Sequence, residues 1–544
     1  MDAQKILYFT NPATGEQFGQ IPMTSNEEIE QGYQELREAY PIWRGMPVRE
    51  RVRILQRFQQ VLIASLDEIT DILNRDCGKT RQDALIEVFI TVDMMDQYRK
   101  HAERWLRPKK VSRGLYLFKN CHVEYHPYGV VGIIAPWNYP LALSIPPMIS
   151  ALLAGNTVML KPSEVTGATS LLMADLIKRV PELSPFVRVF HGDGSVGAAM
   201  VQMKPDYIFL TGSTPTGKIV SRAAAENLTP FACELGGKDA MLVLEDADIA
   251  SAAKWGVWGS NFNTGQTCMS VERVYVVESV YDEFVRYAVE ETQRLKVGYS
   301  TELDSPLHLG PITDPRQLKT IQSHLEDALV KGARVAVGGK VNGMFIEPTI
   351  LLDVDHSMLV MQDETFGPLM PIMKVRDEAE AIRMANDCSF GLGASVWSRD
   401  VARAQRVARQ LEAAAIVVND TIAQFGVPML PFGGIKQSGY GRIHGKEGLM
   451  QFCQPYAFAV GNPPLAIDVA TILRSPGHYK SGAAIMKLAF GATPQQRLEP
   501  ITEQLATVPQ KINKRKFASV LGLTGLLGAV AFGLYHLVGS SRDG

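Results

Sequence analysis

Five short apolar, β-branched runs at residues 130–134, 157–160, 187–190, 207–210 and 240–244 are separated by stretches of helical periodicity. Strands buried on both faces and divided by helices admit few folds, and the natural one is a parallel, doubly wound α/β sheet. The alternation resumes at 334–337, 394–397 and 416–419, with a helix predicted over 400–411. A chain of 544 residues exceeds what one core usually organises, so a second α/β domain is expected after the first. Ligand chemistry in such a pair belongs in the cleft between them.

Ahead of the first sheet, residues 8–22 read as two short extended runs around the turn Asn11-Pro12-Ala13-Thr14-Gly15-Glu16. From 25 to 77 the pattern is helical, with Val52, Leu55, Phe58, Leu62, Leu66, Ile69 and Leu73 recurring at threes and fours. Residues 112–127 read as two extended pieces around Lys119-Asn120.

Between the two alternating regions lies Asn263-Thr264-Gly265-Gln266-Thr267-Cys268. A cysteine on a glycine-containing loop has backbone amides near its sulfur, which favour the attacking thiolate. On this fragment alone a small buried residue at a helix–loop junction is the better reading. Upstream stand Glu234-Leu235-Gly236-Gly237-Lys238 and, after an apolar strand, Ala135-Pro136-Trp137-Asn138-Tyr139-Pro140. Downstream stand Glu364-Thr365-Phe366-Gly367-Pro368 and Pro431-Phe432-Gly433-Gly434-Ile435-Lys436-Gln437-Ser438-Gly439. In this order the motifs resemble those of the aldehyde dehydrogenase superfamily, and the match runs from about residue 11 to about residue 462.

The resemblance implies a dinucleotide-binding domain (1–111 and 128–236), oligomerisation strands (112–127 and 451–460) and a catalytic domain (237–450). It implies a thiolate at Cys268 that attacks an aldehyde carbonyl, with the Asn138 amide and the Cys268 N–H stabilising the oxyanion. Glu234 would then be general base for hydrolysis of the thioester, and its presence argues for a free acid product. No metal is required. Phe432 maps to an aromatic of the substrate tunnel, and Leu143 and Ile145 would add apolar wall. For the glycines at 433 and 434, close backbone packing is as good a reading as a catalytic one.

For the cofactor, Gly192-Asp193-Gly194-Ser195-Val196-Gly197 matches G-x-G-x-x-G, but no acidic residue follows at the spacing that would hold a ribose. A tight strand-to-helix turn explains it. In the family, positions matching Lys161 and Glu164, within Lys161-Pro162-Ser163-Glu164, hold the adenosine ribose. An N-cap explains Ser163 and Glu164 equally well on sequence. Gly212, Ser213 and Gly217 resemble the family's pyrophosphate turn, with Thr216 where valine or isoleucine is common. Glu364 and Phe366 match residues at the nicotinamide ribose and ring, and Trp137 and Leu235 complete the expected cofactor set. Glu164 should bond the ribose hydroxyls of NAD and repel a 2′-phosphate, so NAD is favoured with NADP possible.

A formal net charge of −2 offers no basic surface for nucleic acid, and six cysteines without a CxxC pair suit a reducing compartment. The first residues lack a secretory signal. Beyond 462 the family pattern stops, and 461–510 reads as a linker with some helix. A basic flank at 511–516 then precedes 517–538, 22 residues without a formal charge. At 1.5 Å per residue such a run is about 33 Å long, enough for a single transmembrane helix. The basic flank leaves the catalytic body in the cytosol. Gly525, Ala529 and Gly533 are spaced for helix self-association.

The expectation is a membrane-tethered, NAD-dependent homodimer or homotetramer that oxidises hydrophobic, long-chain aldehydes. The rivals are a tethered enzyme for small aldehydes or semialdehydes and a catalytically silent membrane scaffold.

Overall fold

The computed structural model describes residues 5–114, 116, 119–461, 474, 476 and 478–506. It divides into two compact units, residues 1–111 with 122–458, and residues 112–121 with 459–544.

In the first unit, strands Ile6–Thr10 and Gln17–Pro22 pair antiparallel across the predicted turn. Asn11 Oδ1 accepts from Ala13 N at 2.8 Å, and Gly15 takes the left-handed φ of 73° that the turn needs. Helices Asn26–Gly45, Val48–Ala64 and Leu66–Cys77 follow, the first opened by a capping box of Ser25 and Glu28. Leu55, Phe58, Leu62, Ile69 and Leu73 of the predicted stripe are buried, and Val52 and Leu66 pack at its margin. Helix Arg81–Trp105 completes the layer.

The first sheet has six strands in the order Gly439–Tyr440, Phe231–Glu234, Tyr207–Thr211, Val130–Ile134, Thr157–Lys161, Val187–Val189. The last five run parallel. Sequence order reverses on either side of Val130–Ile134, which opens the crevice where doubly wound sheets take ligands. The second sheet has seven strands: Arg334–Val337, Thr349–Leu352, Leu369–Val375, Val271–Val277, Asp239–Val243, Gly393–Trp397 and Ala415–Val418. All pair parallel except Arg334–Val337, which closes one edge antiparallel. The two Rossmann-like sheets of an α/β fold are therefore present.

Two details differ from the sequence reading. Gly439–Tyr440, deep in the segment assigned to the catalytic domain, pairs antiparallel with Phe231–Glu234 of the first sheet. The expected hairpin centred on Lys119-Asn120 is instead one strand, Lys119–Pro127, paired with the two-residue strand Lys109–Lys110. The Lys-Asn pair is the start of that strand rather than its turn. The strand expected near 451–460 is Cys453–Gly461, beside Lys119–Pro127 in a three-stranded sheet.

In the second unit, the segment read as a linker carries helices His478–Phe490 and Pro494–Ala506, joined by a Lys487–Glu499 ion pair of 2.9 Å. Among the described residues no helix is long and apolar enough to cross a membrane. The apolar run 517–538 and its basic flank lie outside the described residues.

Phe452 fastens the end of the family-like segment to the first sheet. Its ring is fully buried against Tyr207 and Phe209, at centroid distances of 5.4 and 5.9 Å, and its carbonyl accepts from Asn156 Nδ2 at 2.9 Å. Phe452→Ala is expected to cost about 3–5 kcal/mol. Chemical denaturation should show an earlier midpoint with native circular dichroism in plain buffer.

Candidate active site

The helix Ile249–Asn261 ends at a loop that no regular element could replace. Asn263 (φ 52°, ψ 36°), Thr264 (φ 58°, ψ 33°) and Gly265 (φ 73°) are consecutive left-handed residues. For a β-branched threonine this is a true outlier, of order 1–3 kcal/mol, and such strain persists only where surrounding contacts over-determine it. Those contacts are present. Thr264 Oγ1 donates to Gly310 O at 3.2 Å, and Asn263 Nδ2 donates to Asn138 O at 3.1 Å. Gln266 Nε2 donates to Asn263 O at 3.1 Å, while Gln266 Oε1 accepts from Thr313 N at 2.8 Å. The Gly265 Cα lies against the backbone of Gly367 and Pro368, where a Cβ would collide.

The loop delivers Cys268, half-buried, into a cavity of about 860 Å³. Gly237 allows this approach, because a Cβ there would strike the Cys268 carbonyl. Burial pushes the Cys268 thiol far above the usual thiol range, and the carboxylates of Glu364, Asp239 and Glu234 push the same way against the Met269 N–H.

Asn138 follows strand Val130–Ile134 and is 5% exposed. Its Nδ2 donates one hydrogen to Gln266 O at 3.1 Å, and its own carbonyl accepts from Lys79 Nζ at 2.9 Å. Glu234 closes strand Phe231–Glu234 and is 4% exposed, with neither carboxyl oxygen hydrogen-bonded among the described residues. Burial lifts its carboxyl well above the usual range, opposed by the Arg442 guanidinium and the Gly434 N–H.

Asn138, Leu143, Glu234, Leu235, Cys268, Glu364, Phe366 and Trp137 all line the one cavity. Trp137 and Phe366 meet edge to face at 5.5 Å, with Phe366 at a left-handed φ of 52°. Glu364 accepts from Gly237 N at 2.8 Å, and burial raises its carboxyl to about 8. From this end the cavity extends to Lys161, Glu164, Gly212 and Ser213. Ser213 caps helix Thr214–Ala225, whose N-terminus faces the cavity and suits an anion. Lys161 Nζ lies 3.3 Å from Glu164 Oε2, and burial lowers the lysine's pKa.

Four of the expected residues lie elsewhere. Ser163 caps a short 3₁₀ turn by accepting from Val165 N at 3.2 Å, the local alternative. Gly217 gives its space to the Leu235 side chain. Ile145 is 1% exposed in the core of helix Ile145–Ala154. Phe432 is buried against Phe425 at 5.1 Å and His444 at 6.0 Å. The sequence reading missed two stretches of wall. One is helix Gly194–Gln202, whose Gly194, Gly197 and Ala198 line the cavity, so the rejected glycine motif does face it. The other is Asp314, Arg316 and Gln317 at the start of helix Pro315–Val330. Ile219, 64% exposed on helix Thr214–Ala225, adds an apolar side chain to the wall. Among the described residues, no cluster of three or more His, Cys, Asp or Glu is placed to hold a metal ion.

The aldehyde dehydrogenase family model matches residues 1–457. A 4,4'-diapolycopene aldehyde oxidase of Methylomonas is 41% identical over 484 residues, 88% of this chain and 91% of that one. A Mycolicibacterium smegmatis protein provisionally named succinate-semialdehyde dehydrogenase (NADP(+)) is 36% identical, over 86% of this chain and 92% of its own. The crystal structure of NADP-dependent glyceraldehyde-3-phosphate dehydrogenase from Bacillus halodurans, complexed with NADP, matches with a TM-score of 0.80 at 32% identity. It covers 84% of this chain and 96% of that one.

The loop geometry makes Gly265→Ala diagnostic. The added methyl meets the Gly367 and Pro368 backbone and a left-handed φ together, so it should displace Cys268 while the sheets stay intact. Circular dichroism should be unchanged and the Cys268 labelling rate with a thiol reagent should shift by about tenfold or more.

Proposed function

Because the chain belongs to the aldehyde dehydrogenase family, we propose that it oxidises an aldehyde to the carboxylic acid with NAD(P), through a thioester on Cys268. The observation that carries this is the opening of Cys268, Asn138 and Glu234 into one cavity with Glu364, Phe366 and Trp137.

The cavity fits a dinucleotide along its length. The Ser213-capped helix N-terminus would hold the pyrophosphate, Lys161 and Glu164 would hold the adenosine ribose, and Glu364, held by Gly237 N–H, would hold the other ribose. When bound, NAD(P) supplies the hydride acceptor. Residues 1–111 and 128–236 then form the cofactor half and residues 237–450 the catalytic half, with Gly439–Tyr440 returning to the first sheet.

Cys268 gives its proton to solvent in the cavity, its sulfur bonds to the carbonyl carbon, and the C=O π pair moves onto the oxygen. The resulting oxyanion takes the second Asn138 Nδ2 hydrogen, the first being committed to Gln266, together with the Cys268 N–H. Loss of hydride from the adduct leaves the thioester. Glu234, buried with neither carboxyl oxygen hydrogen-bonded among the described residues, takes a proton from the water that attacks the thioester; the C–S bond breaks, the acid leaves, and the thiolate takes that proton back from Glu234 as the thiol. A silent scaffold would have no use for this convergence.

For the substrate we read a hydrophobic aldehyde. Trp255 and Trp258, both 39% exposed, meet edge to face at 5.4 Å. Trp258 then reaches Phe262 at 5.0 Å, and Phe262 reaches Tyr139 at 6.2 Å. The Tyr139 hydroxyl is 2.8 Å from Thr267 Oγ1, next to the nucleophile. A chain of aromatic contacts thus links the exposed Trp255 to the residue before Cys268, and the Methylomonas relative is named for a carotenoid aldehyde. The second reading, a small semialdehyde, draws on the name of the Mycolicibacterium relative. The sequence of the apolar run 517–538 supports reading it as a single-pass membrane anchor with the body in the cytosol, which would keep the enzyme close to substrate dissolved in lipid. Tyr456 and Phe458, exposed on the strand Cys453–Gly461, provide apolar surface for a homodimer or homotetramer.

Cys268→Ala should abolish aldehyde oxidation while NAD(P) still binds. Glu234→Gln should give a burst of reduced cofactor, then turnover slower by about 100-fold or more. Unchanged steady turnover in that variant would remove Glu234 from the mechanism. Both groups are pushed upward, so their ionised forms grow with pH and wild-type turnover should climb from neutral into the alkaline range.

Removing residues 517–544 should leave short-aldehyde oxidation near wild type and cut the rate on long aldehydes held in vesicles. Equal vesicle rates would reduce the tail to an address. A preference of the intact enzyme for short charged semialdehydes would favour the second reading.

A further inference from the structure

Glu164, expected to reject a 2′-phosphate, does not stand alone at its end of the cavity. Its Oε2 is 3.3 Å from Lys161 Nζ, and its Oε1 is 3.8 Å from a terminal nitrogen of Arg316. Arg316 arrives from far along the chain, in the first turn of helix Pro315–Val330. Asp314 caps that helix by accepting from Arg316 N at 2.8 Å, and it also holds the guanidinium, Nε at 2.9 Å and Nη2 at 2.7 Å from Oδ2. Among the described residues the remaining nitrogen, Nη1, has no hydrogen bond. The Asp314 side chain is 8% exposed and that of Arg316 is 73% exposed, and both residues line the cavity with Lys161 and Glu164.

We propose that Arg316 admits a phosphate on the 2′ position of the adenosine ribose, so that the enzyme takes NADP as well as NAD. This rests on reading the cavity as the dinucleotide site. Glu164 and Asp314 face the two cations Lys161 and Arg316, with Asp193 also acting on Lys161. A neutral ribose keeps the Glu164 carboxylate as its acceptor. A 2′-phosphate meets an exposed guanidinium on a flexible stem with donors to spare, a group whose planar fork matches phosphate oxygens. The carboxylate that should repel the phosphate is flanked on both oxygens by cations, which reduces the repulsion Glu164 would exert alone. Asp314 restrains Arg316 from behind without filling its outer face. The Arg316 side chain itself is largely exposed, so it can be changed without loss of the fold.

The test uses the full-length enzyme and two fragments that carry no nicotinamide, adenosine 2′,5′-bisphosphate and adenosine 5′-monophosphate, with binding measured by calorimetry. Arg316→Ala should weaken the bisphosphate by about tenfold or more and leave the monophosphate within about twofold. Arg316→Lys should restore part of the loss. Asp314→Asn keeps the helix cap and releases the guanidinium, so it should tighten the bisphosphate. The ratio of kcat/KM for NADP to that for NAD should fall in Arg316→Ala in step with the fragment binding. Equal loss for both fragments, or loss for neither, would overturn the role of Arg316. Wild-type enzyme that binds the monophosphate but not the bisphosphate overturns the proposal and leaves the cavity reading intact. Binding of neither fragment overturns both.

Discussion

Two ion pairs buried on either side of Cys268 hold the loops on which the site depends. Lys79 Nζ lies 2.6 Å from Glu87 Oε2, and Lys238 Nζ lies 2.5 Å from Glu272 Oε2, all four side chains at most 2% exposed. Burying charge carries a large desolvation cost, and breaking such a pair by removing one partner costs about 3–5 kcal/mol. Here each pair is also wired to backbone. Glu87 Oε1 accepts from Leu141 N at 2.8 Å and Ala142 N at 3.1 Å, while Lys79 donates to Asn138 O. Glu272 accepts from Thr365 N at 2.7 Å and Phe366 N at 2.8 Å, while Lys238 donates to Thr365 Oγ1 at 3.0 Å. The segments 138–142 and 364–366 have no sheet ladder to fix them. Charge-assisted bonds, stronger than neutral ones, take that place.

Against these two fixed loops the nucleophile loop is pressed into an unfavourable conformation. Its left-handed run is compatible with Asn263 and Gly265 but not intrinsically with Thr264, and the loop survives because its neighbours leave it no alternative. Asn263 Nδ2 bonds the same Asn138 carbonyl that Lys79 holds, so nucleophile loop and amide loop share an anchor. Gly237 and Gly265 are required by contact: one yields to the Cys268 carbonyl, the other to the Gly367–Pro368 backbone. Three segments distant in sequence therefore locate one another.

The alternating strands and the helical stripe from Leu55 to Leu73 were readable because each pattern is local and repeats. Motif order placed Cys268, Asn138, Glu234 and Glu364 on one wall because each motif carries its own turn chemistry. Contacts that arise only after folding were not readable. Strand Gly439–Tyr440 is too short to have a period, and its pairing with Phe231–Glu234 is set by the fold. Lys79, ahead of helix Arg81–Trp105, and Glu87 within it are eight residues apart and look like unrelated exposed charges until their burial is known. Ser163 was ambiguous between cap and ligand, and local hydrogen bonding, which needs no partner from elsewhere, decided for the cap. Arg316 carries no motif at all. Its place beside Glu164 exists because helix Pro315–Val330 begins at the crevice of the other sheet.

The electrostatics around Cys268 run against a simple picture of an activated thiol. Burial and three carboxyl groups, from Glu364, Asp239 and Glu234, favour the neutral sulfur, and the same burial favours a neutral Glu234. A thiol kept protonated is a poor nucleophile and also a poor target for oxidants, since both reactions go through the thiolate. On the proposed mechanism the resting site is thus protected by the environment that makes it slow. Reactivity then depends on what enters the cavity: a group that offers positive charge near Glu364 and Cys268 lowers the pKa of the thiol, and donors to Glu234 lower that of its carboxyl. The strained loop and the two buried pairs hold the sulfur in place for that moment, and the rigidity of the site and its low resting reactivity have one origin in burial.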